Sequence, residues 1–221
     1  MKKSLGILFL FLSFNLMSQD TIYYVGDPLC SWCYGFAPAI SEVKEHYKDK
    51  LEFEIIMGGL RPNNTETMAD LGDFLVHHWE QVEQRSGQKF NYGIIKDHSF
   101  VYDTEPPARA VWVVRQLKPE VEFAFFKDVQ LLFYVQNKNT NDIEKYKSIV
   151  EKQGIDFLKF KEKFDSDDAK YGVKQDFRFS GELGVQGFPS VLLKKGEEWI
   201  LIANGYSDAK TVIRVIEKAL K

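Results

Sequence analysis

Of the 221 residues, two are cysteine and four are histidine. Two cysteines exclude the many-bridged framework of a small disulfide scaffold. His46, His77, His78 and His98 lack the paired spacing of a zinc ligand set, so no metal is expected. Charge is nearly balanced: a formal net charge of -3 leaves no footprint for nucleic acid or an acidic membrane surface. Long apolar runs are scarce as well. Leu5 to Leu12, prolonged by Phe14, Leu16 and Met17, falls short of the ~20 residues of a spanning helix. No internal repeat or low-complexity tract is present. What remains is globular composition, 44% apolar and 28% charged.

That short run has a use of its own. Lys2 and Lys3 precede it, and polar Ser18, Gln19 and Asp20 follow it. A basic start, a brief apolar stretch and a small residue near a cut form a secretory signal peptide, expected over residues 1–19 with cleavage near Ser18 and Gln19. No membrane span is expected after its removal. About 200 residues then remain, enough for one domain carrying an insertion. The expected location is periplasmic or secreted, an oxidising space.

The two cysteines stand together in Cys30-Ser31-Trp32-Cys33, the form of a dithiol redox centre. Thr21 to Gly26 reads as a short strand before them, and Asp27-Pro28 as a turn. From Tyr34 to Tyr47 the apolar residues Phe36, Ala39, Ile40, Val43 and Tyr47 recur at helical spacing, with Pro38 as a kink. Leu51 to Met57 alternates as a strand. Helices are expected from Thr67 to Gly181. In the first, Met68, Leu71, Phe74, Leu75, His78 and Val82 form one face. Ala108 to Leu117, Phe123 to Val135, Asn141 to Gln153, Ile155 to Phe164 and Asp167 to Leu183 follow. Strands return at Ser190 to Leu193 and Trp199 to Ala203, and a last helix runs from Asp208 to Leu220.

A thiolate, and not a thiol, attacks a disulfide. A sulfur at a helix N-terminus meets unpaired N–H groups and the positive end of the dipole. Cys30 is therefore the expected nucleophile. Cys33, one turn on and on the same face, is the expected resolving thiol. A structural disulfide closing so short a loop would gain little.

This order of elements, with Gly187-Phe188-Pro189 before the hairpin, resembles the thioredoxin fold. The helical block makes it similar to the DsbA branch, an α/β fold with an all-helical insertion. Asp27-Pro28-Leu29-Cys30-Ser31-Trp32-Cys33 is similar to the Asp-Pro-x-Cys-x-Trp-Cys of a bacterial family assigned as DsbA-like disulfide isomerases. Gly58-Gly59-Leu60-Arg61-Pro62 and Phe100-Val101-Tyr102-Asp103-Thr104-Glu105-Pro106 fit the same family. The resemblance implies a core over 20–62 and 184–221 with the insertion at 63–183. It also implies a cis Pro189 beside the sulfurs, with Phe188 and Pro189 in substrate binding and no cofactor.

Two departures from that pattern stand out. Thioredoxin and DsbA carry a buried acid where this chain has Tyr24, and DsbA has Pro-His where this chain has Ser31-Trp32. The strongly oxidising poise of DsbA is therefore not implied.

Asp103 to Arg109 reads either as a capped helix start or as a segment facing the redox centre, with Thr104 and Glu105 as possible groove residues. His77-His78-Trp79 reads as part of a packed helix. The expected function is thiol–disulfide exchange, as oxidase or isomerase, on cysteine-containing exported proteins, with a redox partner protein or a small thiol. The alternatives are a glutathione-dependent isomerase or transferase of the kappa-related branch, and a non-catalytic peptide-binding module. Kappa-related enzymes carry serine at the first cysteine position, so Cys30 argues against the former.

Overall fold

The computed structural model describes residues 20–221; the signal peptide expected at 1–19 lies outside the described residues. β1 (Thr21–Gly26) is rich in β-branched and aromatic residues and buried along nearly its whole length. Such a strand belongs at the centre of a sheet covered on both faces. It pairs in parallel with β2 (Glu52–Met57), with Gly26 opposite Met57. On its other side it runs antiparallel to β3 (Ser190–Lys195), which pairs antiparallel with β4 (Glu198–Asn204). The order is β2-β1-β3-β4.

The β1–β2 crossover is α1 (Ser31–Tyr47). It starts three residues before the expected Tyr34, because Cys30 itself occupies the N-cap. Pro38 sits inside it, and a proline has no N–H to offer the carbonyl one turn back. That carbonyl, on Tyr34, accepts from the Gln88 side chain instead, at 3.3 Å.

Between β2 and β3 lie α2 (Met68–Ser86), α3 (Glu105–Leu117), α4 (Glu122–Tyr134), α5 (Lys147–Lys152), α6 (Phe157–Asp165) and α7 (Asp167–Glu182). α8 (Ala209–Ala219) closes the described chain. α7 packs on β2, and α8 packs on α1 and β4. The fold is thus a mixed thioredoxin-type sheet with helices inserted between β2 and β3.

Several boundaries differ from expectation for local reasons. α3 starts at Glu105 and not Ala108, since Pro106 and Pro107 occupy a first turn where no N–H is needed. The helix expected from Asn141 to Gln153 divides into a short 3-10 turn, Ile143–Tyr146, and α5. The β3–β4 turn is tighter than expected, with Gly196 at φ 59°. On α2 the buried face is Met68, Leu71, Leu75, Trp79 and Val82. Phe74 is 57% exposed and His78 is half-buried, so neither belongs to the buried face expected for them.

The main core joins one face of the sheet to α1, α3, α4, α6 and α8, and Val25, Ile56 and Leu192 form a small separate cluster on the other face. A second core lies under the cysteine motif, where Leu29 and Tyr34 meet Trp79, Phe90, Phe133 and Tyr134. Its rings lie 4.8–5.8 Å apart in stacked and edge-on pairs, each worth ~0.5–1.5 kcal/mol beyond burial. An ionic clasp locks the inserted helices to β2. Arg115 contacts Asp176 at 2.8 Å, Glu122 at 2.7 Å and the Ile55 carbonyl at 2.7 Å. Asp176 in turn accepts from the Met57 N–H at 3.0 Å.

Candidate active site

β1 ends against the motif, and the Cys30 N–H bonds back to the Asp27 carbonyl at 3.1 Å. The Cys30 sulfur takes the part that Ser or Asp plays at other helix starts, accepting from the Cys33 N–H at 3.4 Å. Its thiol also reaches the Phe188 carbonyl at 3.6 Å. The Phe188–Pro189 bond is cis. Residues 158 apart in sequence thus meet at one sulfur. Both cysteines are free thiols, Cys30 5% exposed and Cys33 fully buried. Burial, and next the neighbouring Cys30, push the Cys33 thiol well above its usual range.

Asp27 fastens the motif from below. Its carboxylate accepts from the Leu29 N–H at 2.9 Å and the Leu60 N–H at 2.8 Å, and it is fully buried. Desolvation pushes its pKa up to about 6, against the pull of the Leu60, Leu29 and Thr104 hydrogen bonds. Thr104 is buried behind this joint. Its backbone N–H donates to the Arg61 carbonyl at 3.2 Å, and its hydroxyl accepts from the Arg61 N–H at 3.0 Å. Glu105 is buried against Arg109 at 3.2 Å, and its burial raises its pKa. Thr104 and Glu105 stand outside the lining of the cavity at Cys30; Thr104 braces Arg61 in its wall.

That cavity holds about 200 Å³ and is lined by Cys30, Trp32, Leu60, Arg61, His78 and Phe188, among others. A larger one, about 430 Å³, lies beside Pro38 and contains neither sulfur. The Trp32 indole N–H donates to His78 Nε2 at 3.2 Å, so the neutral imidazole carries its proton on Nδ1. Phe74 stacks on His78 at 5.1 Å. Desolvation, then the adjacent His77, lower the His78 pKa.

Gly58 makes room for Phe188. A Cβ there would lie 2.2 Å from the Phe188 ring, closer than any real contact. Beneath the sulfurs are three buried tyrosines, Tyr24, Tyr102 and Tyr134. The Tyr102 hydroxyl donates to the Leu29 carbonyl. Among the described residues no cluster of His, Cys, Asp or Glu could hold a metal, and no helix is long and apolar enough to cross a membrane.

Sequence reasoning proposed Cys30, Cys33, Phe188 and Pro189, and the fold brings all four to one place. Asp27, Gly58 and Arg61 stand in the sequence only as motif residues with no site role, and His78 as part of a packed helix. Gly58-Gly59 was a visible signal of close backbone approach, since Gly59 has φ 72° and Gly58 abuts a ring. Nothing in the sequence pointed to His78.

A family model described as thioredoxin matches residues 23–211. A solved structure of a candidate protein disulfide isomerase from Nitrosomonas europaea is similar at 32% identity and TM-score 0.85, covering 91% of this chain and 98% of that one. The cytosolic disulfide reductase DsbM from Pseudomonas aeruginosa shares the fold at 24% identity and TM-score 0.73, with 90% and 98% covered. The ClpXP adapter protein SpxH of Bacillus subtilis is 23% identical over 191 residues, 84% of this chain. The chain spans 63% of the length of the curated relatives it matches. With this sheet order, this helix-capping sulfur and a family match along nearly the whole described chain, the protein belongs to the thioredoxin family.

Proposed function

We propose that the protein is a thiol–disulfide oxidoreductase, acting as oxidase or isomerase on cysteine-containing exported proteins through Cys30 and Cys33. The observation that carries this reading is the position of the Cys30 sulfur. It caps α1 with the Cys33 N–H aimed at it, and it lies against the carbonyl before Pro189. An N–H directed at sulfur accommodates a thiolate, the attacking species. The chemistry is two displacements. The Cys30 thiolate attacks a substrate disulfide, a mixed disulfide forms, and one substrate sulfur leaves. Cys33 then attacks Cys30, releasing the second substrate sulfur and closing the Cys30–Cys33 bond. Run backwards, the same steps oxidise a substrate dithiol. Only Cys30 lines the cavity, so Cys33 meets a substrate through Cys30.

The basic and apolar leader expected at residues 1–19 supports exported substrates. The test is a Cys33→Ser variant incubated with exported proteins. Mixed disulfides through Cys30 are expected, and an unreactive wild-type dithiol that traps nothing would refute the proposal.

A second reading, exchange with a small anionic thiol such as glutathione, is favoured by Arg61 in the cavity wall and by the small volume there. A structure of DsbM has been solved with glutathione. Adducts with glutathione alone in the trapping experiment would promote this reading.

A further inference from the structure

Tyr24 sits mid-strand in β1 with no exposed surface. Its ring meets Phe126 edge-on at 5.7 Å and Phe36 at 6.1 Å. Phe36 follows Cys33 by one helical turn on the inner face of α1, so the ring lies under the first turn of that helix. The hydroxyl rises past Gly26, where an added Cβ would lie 2.8 Å from it, and Cys33 is, after burial, the main neighbour that raises its pKa. Yet the Tyr24 hydroxyl has no hydrogen-bond partner among the described residues. A buried hydroxyl left unpaired is costly, and its retention asks for a state of the protein in which it is paired.

We propose that Tyr24 is the hydrogen-bond donor to Cys33 when that sulfur is a thiolate, and so assists resolution of the mixed disulfide formed at Cys30. This rests on the oxidoreductase reading above. A neutral thiol is a weak acceptor and leaves the hydroxyl unpaired, whereas a thiolate is a strong one. Burial works against that thiolate, and the hydroxyl together with the Asp27 backbone N–H works for it. Tyr24 keeps its own proton throughout, because burial raises its pKa far above the working range. The groups facing the pair are Cys30, Asp27 and Tyr134. The Asp27 carboxylate is taken up by the Leu29 and Leu60 N–H groups.

In the assisted step the Cys33 thiolate forms the Cys33–Cys30 bond as the bond from Cys30 to substrate breaks. The electron pair leaves on the substrate sulfur, which takes up the proton Cys33 gave to solvent. The enzyme dithiol is oxidised by two electrons and the substrate disulfide is reduced by two.

The test uses the reduced protein and an aromatic disulfide, dithionitrobenzoate, whose coloured thiol is released once by Cys30 and once by Cys33. In Tyr24→Phe the first release should stay within about two-fold of wild type. The second should slow about ten-fold, as expected for one hydrogen bond to a charged group, with its pH midpoint displaced upward. Tyr24→Phe deletes only an unpartnered hydroxyl, so its melting temperature should not fall below wild type. In a Cys30→Ser background, the ultraviolet thiolate absorbance of Cys33 should titrate at higher pH without the hydroxyl. A second release unchanged at every pH, equal slowing of both releases, or an unmoved Cys33 titration would overturn the proposal. A wild-type protein that releases no coloured thiol would overturn the oxidoreductase reading itself.

Discussion

Asp27 should leave a distinctive pH signature on stability, opposite in sign to that of a salt-bridged carboxylate. In the folded protein its carboxyl is fully buried and its pKa is pushed up from 3.8 to about 6. Between those values the folded state holds a proton that the unfolded chain has lost. Stability from this group is therefore complete below the unfolded pKa and drains away as pH rises through about 6. The displacement spans about two pH units at ~1.4 kcal/mol each, or ~3 kcal/mol. Asp27→Asn removes the titration, and it also removes one of two acceptors, leaving the Leu29 or Leu60 N–H unpaired at ~1–3 kcal/mol.

The assay is urea unfolding of the reduced wild type and of Asp27→Asn from about pH 4 to pH 7, the window over which this group titrates. Other carboxylates titrate in both proteins and cancel in the difference. The wild-type advantage should be largest near pH 4, where part of it is already lost, and should shrink by a further ~2.4 kcal/mol by pH 7. An advantage that is flat, or that grows with pH, would refute the account, because it would mean the backbone N–H groups outweigh desolvation.

Three further outcomes follow from the same contacts. Gly58→Ala should displace the Phe188 ring and disturb the Phe188 carbonyl that the Cys30 thiol reaches, destabilise by ~1–3 kcal/mol, and slow attack by Cys30 on a model disulfide. A Gly58→Ala protein of normal reactivity would show that the ring does not hold the site. Arg115→Ala strands Asp176 and Glu122 in a nearly dry setting and should cost ~3–5 kcal/mol by urea unfolding. Protonation of His78 turns its acceptor nitrogen into a donor, so Trp32 fluorescence, taken as wild type minus Trp32→Phe, should change as pH falls below 6.5. The change should vanish in His78→Phe, and its persistence there would assign the effect to another group.

Features that depend on neighbours in sequence were legible before the structure. The strand into Cys30, the helix after Cys33 and the inserted helical block follow from apolar spacing within about a dozen residues. Errors at that level trace to local chemistry the spacing does not carry: a cysteine acting as N-cap, and prolines starting a helix where an N–H is not missed. Long-range partners are another matter. Trp32 and His78 are 46 residues apart, Asp27 and Leu60 are 33 apart, and periodicity places none of them together. His78 shows the reason most plainly. Its helical face also carries Met68, Leu71 and Leu75, so spacing assigns it to the core, yet a small rotation puts Trp79 inside and leaves His78 at the redox cavity. Tyr24 is the converse case. Its place in the central strand buries it, but a phenol in a core ordinarily finds a partner, and this one has none in the dithiol. The sequence could show that the familiar carboxylate was missing; only the packing shows an uncharged, unpartnered hydroxyl buried against the first turns of α1. A hydroxyl can stabilise a buried thiolate without itself adding a charge to the core, which suits a site already holding one buried carboxyl at Asp27.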